Sequence, residues 1–174
     1  MKKKYLFLIM LIIPLWWSCG KEDIPANGEE EEEETIDWNA AANASSMTLV
    51  NQFWNSGGNY FNTDNSGNTT FQYWPNAHAL DVLIDAYERT GNTEYSTYFD
   101  QWFQGVKAQN GNTWNNDFYD DMEWNALALL RAYKATSDAK YKDTALELWG
   151  YIKEGWNDNA GGGIIVPTFF DIHP

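Results

Sequence analysis

From residue 73 onward the chain alternates between apolar stripes of helical period and short polar breaks. Ala77, Leu80, Leu83, Ile84 and Tyr87 recur at three- and four-residue intervals, with Pro75 in the first turn and Gly91 as the stop. Tyr95, Phe99, Trp102, Phe103 and Val106 form a second stripe, which Thr93 would cap and Gly111 would end. Met122, Ala126, Leu129, Leu130 and Tyr133 form a third. Trp124, Leu127 and Ala128 are apolar on its remaining side, so that helix is expected to be buried nearly all round. Tyr141, Ala145, Leu148, Trp149 and Ile152 form the fourth, capped by Asp138 and closing near Gly155. Ahead of these, Asp37 caps a helix from Trp38 to about Trp54, with Ala41, Met47, Val50 and Trp54 at helical spacing. Residues 55–72 read as polar turns over the rim of a cleft, and Ile164–Val166 as a short strand. No alternation of strand and helix is visible, which excludes a parallel α/β sheet.

The stripes repeat. A shift of 46 residues lays Ala86-Tyr87 on Ala132-Tyr133, Thr90 on Thr136, Tyr95 on Tyr141, Phe103 on Trp149 and Val106 on Ile152. Each copy is a helix, a polar turn and a second helix. Such hairpins bury their apolar faces against neighbouring copies, in an open solenoid or a closed α/α toroid. Two and a half hairpins do not close a toroid, so an incomplete domain with an unburied flank is expected.

The third stripe opens on chemistry. In Asn116–Tyr133, NDFYDDMEWNALALLRAY, the adjacent Asp120 and Asp121 sit among Trp114, Phe118, Tyr119 and Trp124. A helix N-terminus favours the anion, mutual repulsion raises one pKa, and nearby rings desolvate both groups. Two acids driven apart in this way suit glycoside hydrolysis, one as nucleophile and one as leaving-group acid. A separation near ~5 Å would go with retention of configuration. The plainer alternative is that both are first-turn residues serving the helix dipole. Glu123 and Asp117 are other candidates for either role. His78 lies beside apolar neighbours and fits packing as well as sugar contact, and Trp74 and Trp114 fit sugar platforms or plain core.

Composition narrows the partners. Ten Trp, ten Tyr and nine Phe among few basic residues form the palette of a sugar cleft, where rings cover apolar pyranose faces and amides or carboxylates take the hydroxyls. Residues 37–174 carry seven basic and 17 acidic side chains, net −10, a charge that repels phosphate and excludes nucleic acid as a partner. Two His and one Cys leave no zinc spacing or Cys-His pair, and no Ser-His-Asp set or phosphate loop is present. Asn62, Asp64, Ser66 and Gly67 faintly echo a calcium loop, but Tyr73 stands where the closing Glu belongs, so no metal is expected.

The leader is distinct. Lys2–Lys4 precede an apolar run, Tyr5 to Trp17, too short to span a membrane and suited to a signal peptide over residues 1–18. The lone Cys19 then resembles the lipidated cysteine of bacterial lipoproteins, with Trp16 where their usual Leu stands and Leu15 one place off. Gly20–Asp23 is similar to the export tag of surface lipoproteins. Residues 19–36, including Glu29–Glu34, form an acidic tether kept extended by like charges. The expected location is the cell-surface face of an outer membrane, held by a lipid anchor.

DFYDDMEWNALALLRAY resembles the signature of glycoside hydrolase family 76, the bacterial endo-α-1,6-mannanases and their fungal wall-remodelling relatives. YWPNAHALDVLIDAY, WFQGVKAQNG and GWNDNAGGGI are similar to other family segments in the same order, so the likeness runs from Trp38 to Ile164. It implies an all-α fold of helical-hairpin repeats, about the first five helices of an (α/α)6 toroid. It also implies a retaining mechanism with Asp120 as nucleophile and Asp121 as acid/base, no cofactor, and α-mannan as substrate. Trp74, His78, Trp114, Asn116, Tyr119 and Trp124 are the candidate sugar contacts. Two departures stand out. Ile165-Val166-Pro167 follows Gly161–Ile164 where the family continues with paired Trp, and the toroid's second half is missing. Both imply weak activity from this chain alone, and leave a non-catalytic glycan-binding lipoprotein or a non-functional gene remnant as alternatives.

Overall fold

The computed structural model describes residues 35–158 and 161–164. The signal peptide, Cys19, the acidic run of the tether and the departure at Ile165–Pro167 lie outside the described residues. Everything below concerns the unit that begins at Ile36.

Five helices carry the fold: α1 Trp38–Phe53, α2 Tyr73–Thr90, α3 Thr93–Gln109, α4 Tyr119–Thr136 and α5 Ala139–Glu154. The turn chemistry decides their bounds. Asp37 caps α1 by accepting the N–H groups of Asn39 and Ala40, and Asp138 caps α5 by accepting that of Lys140. Asn92, one residue before the expected Thr93, caps α3 by accepting from Glu94, while Thr93 is the first helical residue. Gly91 ends α2 with φ 67°, a left-handed conformation that glycine adopts without steric cost.

The repeat is exact in its first helix. Adding 46 to Tyr73–Thr90 gives Tyr119–Thr136, so α4 is α2 moved by one repeat and α5 likewise follows α3. The two hairpins run side by side. Arg131 of α4 pairs with Asp81 at 3.0 Å and with Asp85 of α2. Tyr141 of α5 donates to Asp100 of α3 at 2.5 Å, and its ring meets Phe103 edge-on at 5.5 Å. Between the hairpins lies the core, with Leu80, Leu83, Ile84, Phe99, Trp102, Met122, Leu129 and Leu148 fully buried. Each such side chain contributes about 1.5–3 kcal/mol by leaving water.

α1 lies antiparallel to α2, since Arg89 near the end of α2 donates to Asn43 in the early turns of α1. Its expected stripe is corrected. Met47 and Ala41 face solvent and Trp54 belongs to a strand, because α1 packs chiefly on α2 through a side that includes Ala42, Ser46, Leu49, Val50 and Phe53. The loop 55–72 is also more ordered than polar composition implies. β1 (Trp54–Asn55) pairs antiparallel with β2 (Tyr60–Phe61), and both β2 rings are buried. Asn76 of α2 grips that strand: Phe61 N–H donates to its Oδ1 at 2.7 Å, and its amide donates to Phe61 O at 3.1 Å. A second small ladder, β3 (Trp156–Asn157) with β4 (Gly163–Ile164), follows α5.

α4 is not buried all round. Its covered side is Met122, Asn125, Ala128, Leu129 and Ala132, whereas Trp124, Leu127 and Leu130 are exposed. The reason is geometric: α4 packs chiefly on α5 and α2, which leaves Leu127 and Leu130 open along a groove beside α5 and Trp124 partly open beside His78 of α2.

Candidate active site

The polypeptide reaches the acid pair through an asparagine-braced loop. Asn110, at the end of α3, donates its amide to the carbonyls of Thr113 and Asn115 at 2.8 and 2.9 Å. Asn116 donates to Asn110 Oδ1 at 3.0 Å and accepts the N–H of Phe118 at 3.1 Å. These short side chains hydrogen-bond local backbone more readily than they extend a helix. The loop is fastened below by Trp114, whose carbonyl accepts from Tyr73 Oη at 2.8 Å. From there Phe118 takes the N-cap position, and Tyr119, Asp120 and Asp121 form the first turn of α4.

The two aspartates differ in surroundings. Asp120 is exposed and Asp121 is half-buried. Partial desolvation, followed by the negative charge of Asp120, lifts the Asp121 carboxyl above the usual aspartate range. Asp121 lies one turn before Asn125, which is fully buried and donates to the Asp121 main-chain carbonyl at 2.9 Å. Asp120 lies one turn before Trp124, on the face turned toward α2. There the Trp124 ring is 4.7 Å from His78, and His78 is 5.5 Å from Trp74. Trp74 and Trp124 are 47% and 44% exposed, so this row presents apolar ring surface to solvent.

The sequence-derived candidates therefore separate. Trp74, His78 and Trp124 meet in one row between α2 and α4, and Asp120 and Asp121 stand in the first turn of α4, one turn before Trp124 and Asn125. Tyr119 is half-buried against the end of α5, where a Cβ on Gly155 would stand 2.5 Å from its ring. Asn116 braces the loop through its own amide. Trp114 is corrected as a sugar platform: it is 1% exposed and wedged between Trp102 and Phe103 at 5.9 and 5.1 Å, so it is core. Glu123 lines a groove between α4 and α5, away from the ring row, and Asp117 is exposed in the loop.

Three hollows are described on this surface: that groove, one between α1 and the start of α3, and one beside His78 lined by Phe53, Phe61 and Pro75. The aspartates line none of the three, so the ring-lined hollow expected over both is not among them. Among the described residues no cluster of three or more His, Cys, Asp or Glu side chains is placed to hold a metal ion. Asp64 of the loop that echoes a calcium site accepts Ser66 N–H and Oγ at 2.8 and 2.6 Å, an Asx turn.

Sequence reasoning missed Asn125 and the Tyr73–Trp114 tie. Asn125 was detectable as a polar break in an otherwise apolar helical stripe. The tie, 41 residues apart in sequence, left no local signal.

Comparison with known proteins bears on this arrangement. No curated protein matches the chain. Among solved structures, the GH76A α-1,6-mannanase of a Salegentibacter species is 46% identical with a TM-score of 0.73, over 76% of this chain and 39% of that one. An inactive variant of that mannanase, with two consecutive aspartates changed to asparagine and α-1,6-mannotriose bound, gives 44% identity and a TM-score of 0.72, over 76% and 39% of the two chains. The Lin0763 protein of Listeria innocua is 33% identical with a TM-score of 0.67, over 76% and 40%. The chain thus spans about two-fifths of the length of the structures it matches, and its hairpins are part of an α/α toroid. The model of glycosyl hydrolase family 76 matches residues 37–169, and the chain belongs to that family.

Proposed function

We propose that this chain carries the catalytic carboxylates of a retaining glycoside hydrolase acting on α-1,6-linked mannan. Asp120 is the nucleophile and Asp121 the acid/base. The observation that carries the reading is the unequal setting of two adjacent acids at the positive end of α4, with Asp120 open to solvent and Asp121 shifted toward its protonated form.

In the first step an Asp120 oxygen attacks the anomeric carbon while Asp121 gives its proton to the glycosidic oxygen. The carbon–oxygen bond of the linkage breaks and a glycosyl ester forms. Asp121, now a carboxylate, then takes a proton from water. That water attacks the same carbon, breaks the ester and restores Asp120. Trp74 and Trp124 offer ring faces to flanking sugars, with His78 between them. The relative with mannotriose bound supports the substrate class, and its two altered aspartates support the choice of an adjacent pair. The chain spans 39% of that mannanase. A lipid anchor on Cys19 would hold the protein at the outer face of an outer membrane.

The test is hydrolysis of an α-1,6-mannooligosaccharide followed by proton NMR. Initial release of the α-anomer supports the reading. Initial β-anomer contradicts the retaining mechanism, and no hydrolysis over days contradicts the activity.

A further inference from the structure

The β3–β4 hairpin carries a ring and a carboxylate that the chemistry above does not use. Trp156 is 60% exposed, and a single exposed ring would need no explanation. This one is held in place. Trp156 pairs antiparallel with Ile164 across the ladder, and Gly162 lies beside the six-membered edge of its indole. A Cβ on Gly162 would stand 3.1 Å from Trp156 Cζ2 and 3.9 Å from Asp158 Oδ1. The bare glycine, at φ 89°, thus lets the ring edge and the carboxylate converge on one point. The hairpin is also seated on the helix that carries the acids. A Cβ on Gly155, the residue before Trp156, would stand 2.5 Å from the Tyr119 ring, and Tyr119 immediately precedes Asp120 in the first turn of α4. The Trp74–His78–Trp124 row lies between α2 and α4, whereas Trp156 follows α5, the other main neighbour of α4.

We propose that Trp156 and Asp158 form a sugar subsite separate from that row, binding one mannose unit of the glycan whose linkage the acid pair attacks. The ring covers the apolar face of the pyranose, and the Asp158 carboxylate accepts from its hydroxyls. An apolar protein surface fits the hairpin less well, because it would strip water from the carboxylate without supplying a donor. The subsite rests on the mannan reading above. Its two residues bind the substrate and take no part in bond cleavage.

The test is an NMR titration of the full 174-residue chain with α-1,6-mannotetraose, run beside an assay of product release from α-1,6-mannan. The indole N–H signal of Trp156, assigned by its loss in Trp156→Ala, should shift on titration. Trp156→Ala should weaken binding about tenfold, and Trp156→Phe should recover part of the loss. Asp158→Asn should also weaken binding, because an amide oxygen accepts more feebly than a carboxylate. Trp38→Ala, at the exposed start of α1, should leave binding unchanged. Affinity reports the subsite and product release reports the acid pair. Binding that depends on Trp156 without any product release supports the subsite and removes the catalytic reading alone. Product release with an affinity indifferent to Trp156 and Asp158 overturns the subsite alone. No binding by the wild-type chain, or a Trp156→Ala chain that no longer melts cooperatively while Asp158→Asn binds normally, would also overturn the subsite.

Discussion

Asn125 donates its side-chain amide to the main-chain carbonyl of Asp121 at 2.9 Å while lying fully buried beneath the first turn of α4. The same amide reaches the carbonyl of Tyr73 at 3.4 Å, so it joins the starts of α2 and α4, the elements that carry the rings and the acids. Its Oδ1 has no hydrogen-bond partner among the described residues. Asn125→Ala removes the donor and leaves a void, and should cost about 1–3 kcal/mol. Denaturant unfolding of the two proteins measures it, and a loss under half a kilocalorie would show that the amide contributes nothing there.

The raised Asp121 pKa has a pH signature. Burial and the Asp120 charge disfavour its ionised form in the folded state. Its contribution to stability is therefore intact below the ordinary aspartate value and is lost as pH rises through the higher folded value. Asp121→Asn removes this loss. The variant should melt at the wild-type temperature near pH 3 and above it at pH 7, with the gap opening between. A gap that instead widens toward acid would reverse the sign assigned to this group.

Gly105 faces the β1–β2 turn so closely that a Cβ there would penetrate the main-chain oxygens of Asn59 and Gly58. Backbone atoms have nowhere to retreat, so Gly105→Ala should destabilise by about 1–3 kcal/mol although alanine is the better helix former. Gly150→Ala, where a Cβ meets nothing within 4 Å, is the control and should be neutral or stabilising.

The proposed anchor makes a separate prediction. In a Gram-negative host, metabolic labelling with a fatty-acid analogue should mark the wild-type chain, and Cys19→Ser should abolish the mark. Equal labelling of both would remove the anchor from the account.

Much of this architecture was legible because the deciding signals are local. Asp138 before a stripe, Gly91 after one and the 46-residue echo of Tyr95 in Tyr141 each act over a few residues or repeat outright. The acid pair was visible for the same reason. What sequence could not show depends on neighbours. Trp114 and Trp124 are both Trp near the same acids, yet one is packed between Trp102 and Phe103 and the other is open beside His78. Leu129 and Leu130 are adjacent in one apolar stripe, yet one is in the core and the other in the groove. Tyr60 and Phe61 were masked by the polar residues around them, and only their ladder with Trp54 and Asn55 and the grip of Asn76 reveal why they are buried.

The most direct measurement compares product release from α-1,6-mannan by the wild-type chain, Asp120→Asn and Asp121→Asn at equal concentrations. If this pair does the chemistry, the wild type releases mannooligosaccharides slowly and each variant falls by at least about a hundredfold. Release from either variant at the wild-type rate would contradict the assignment of that carboxylate, and equal release from all three would end it for both.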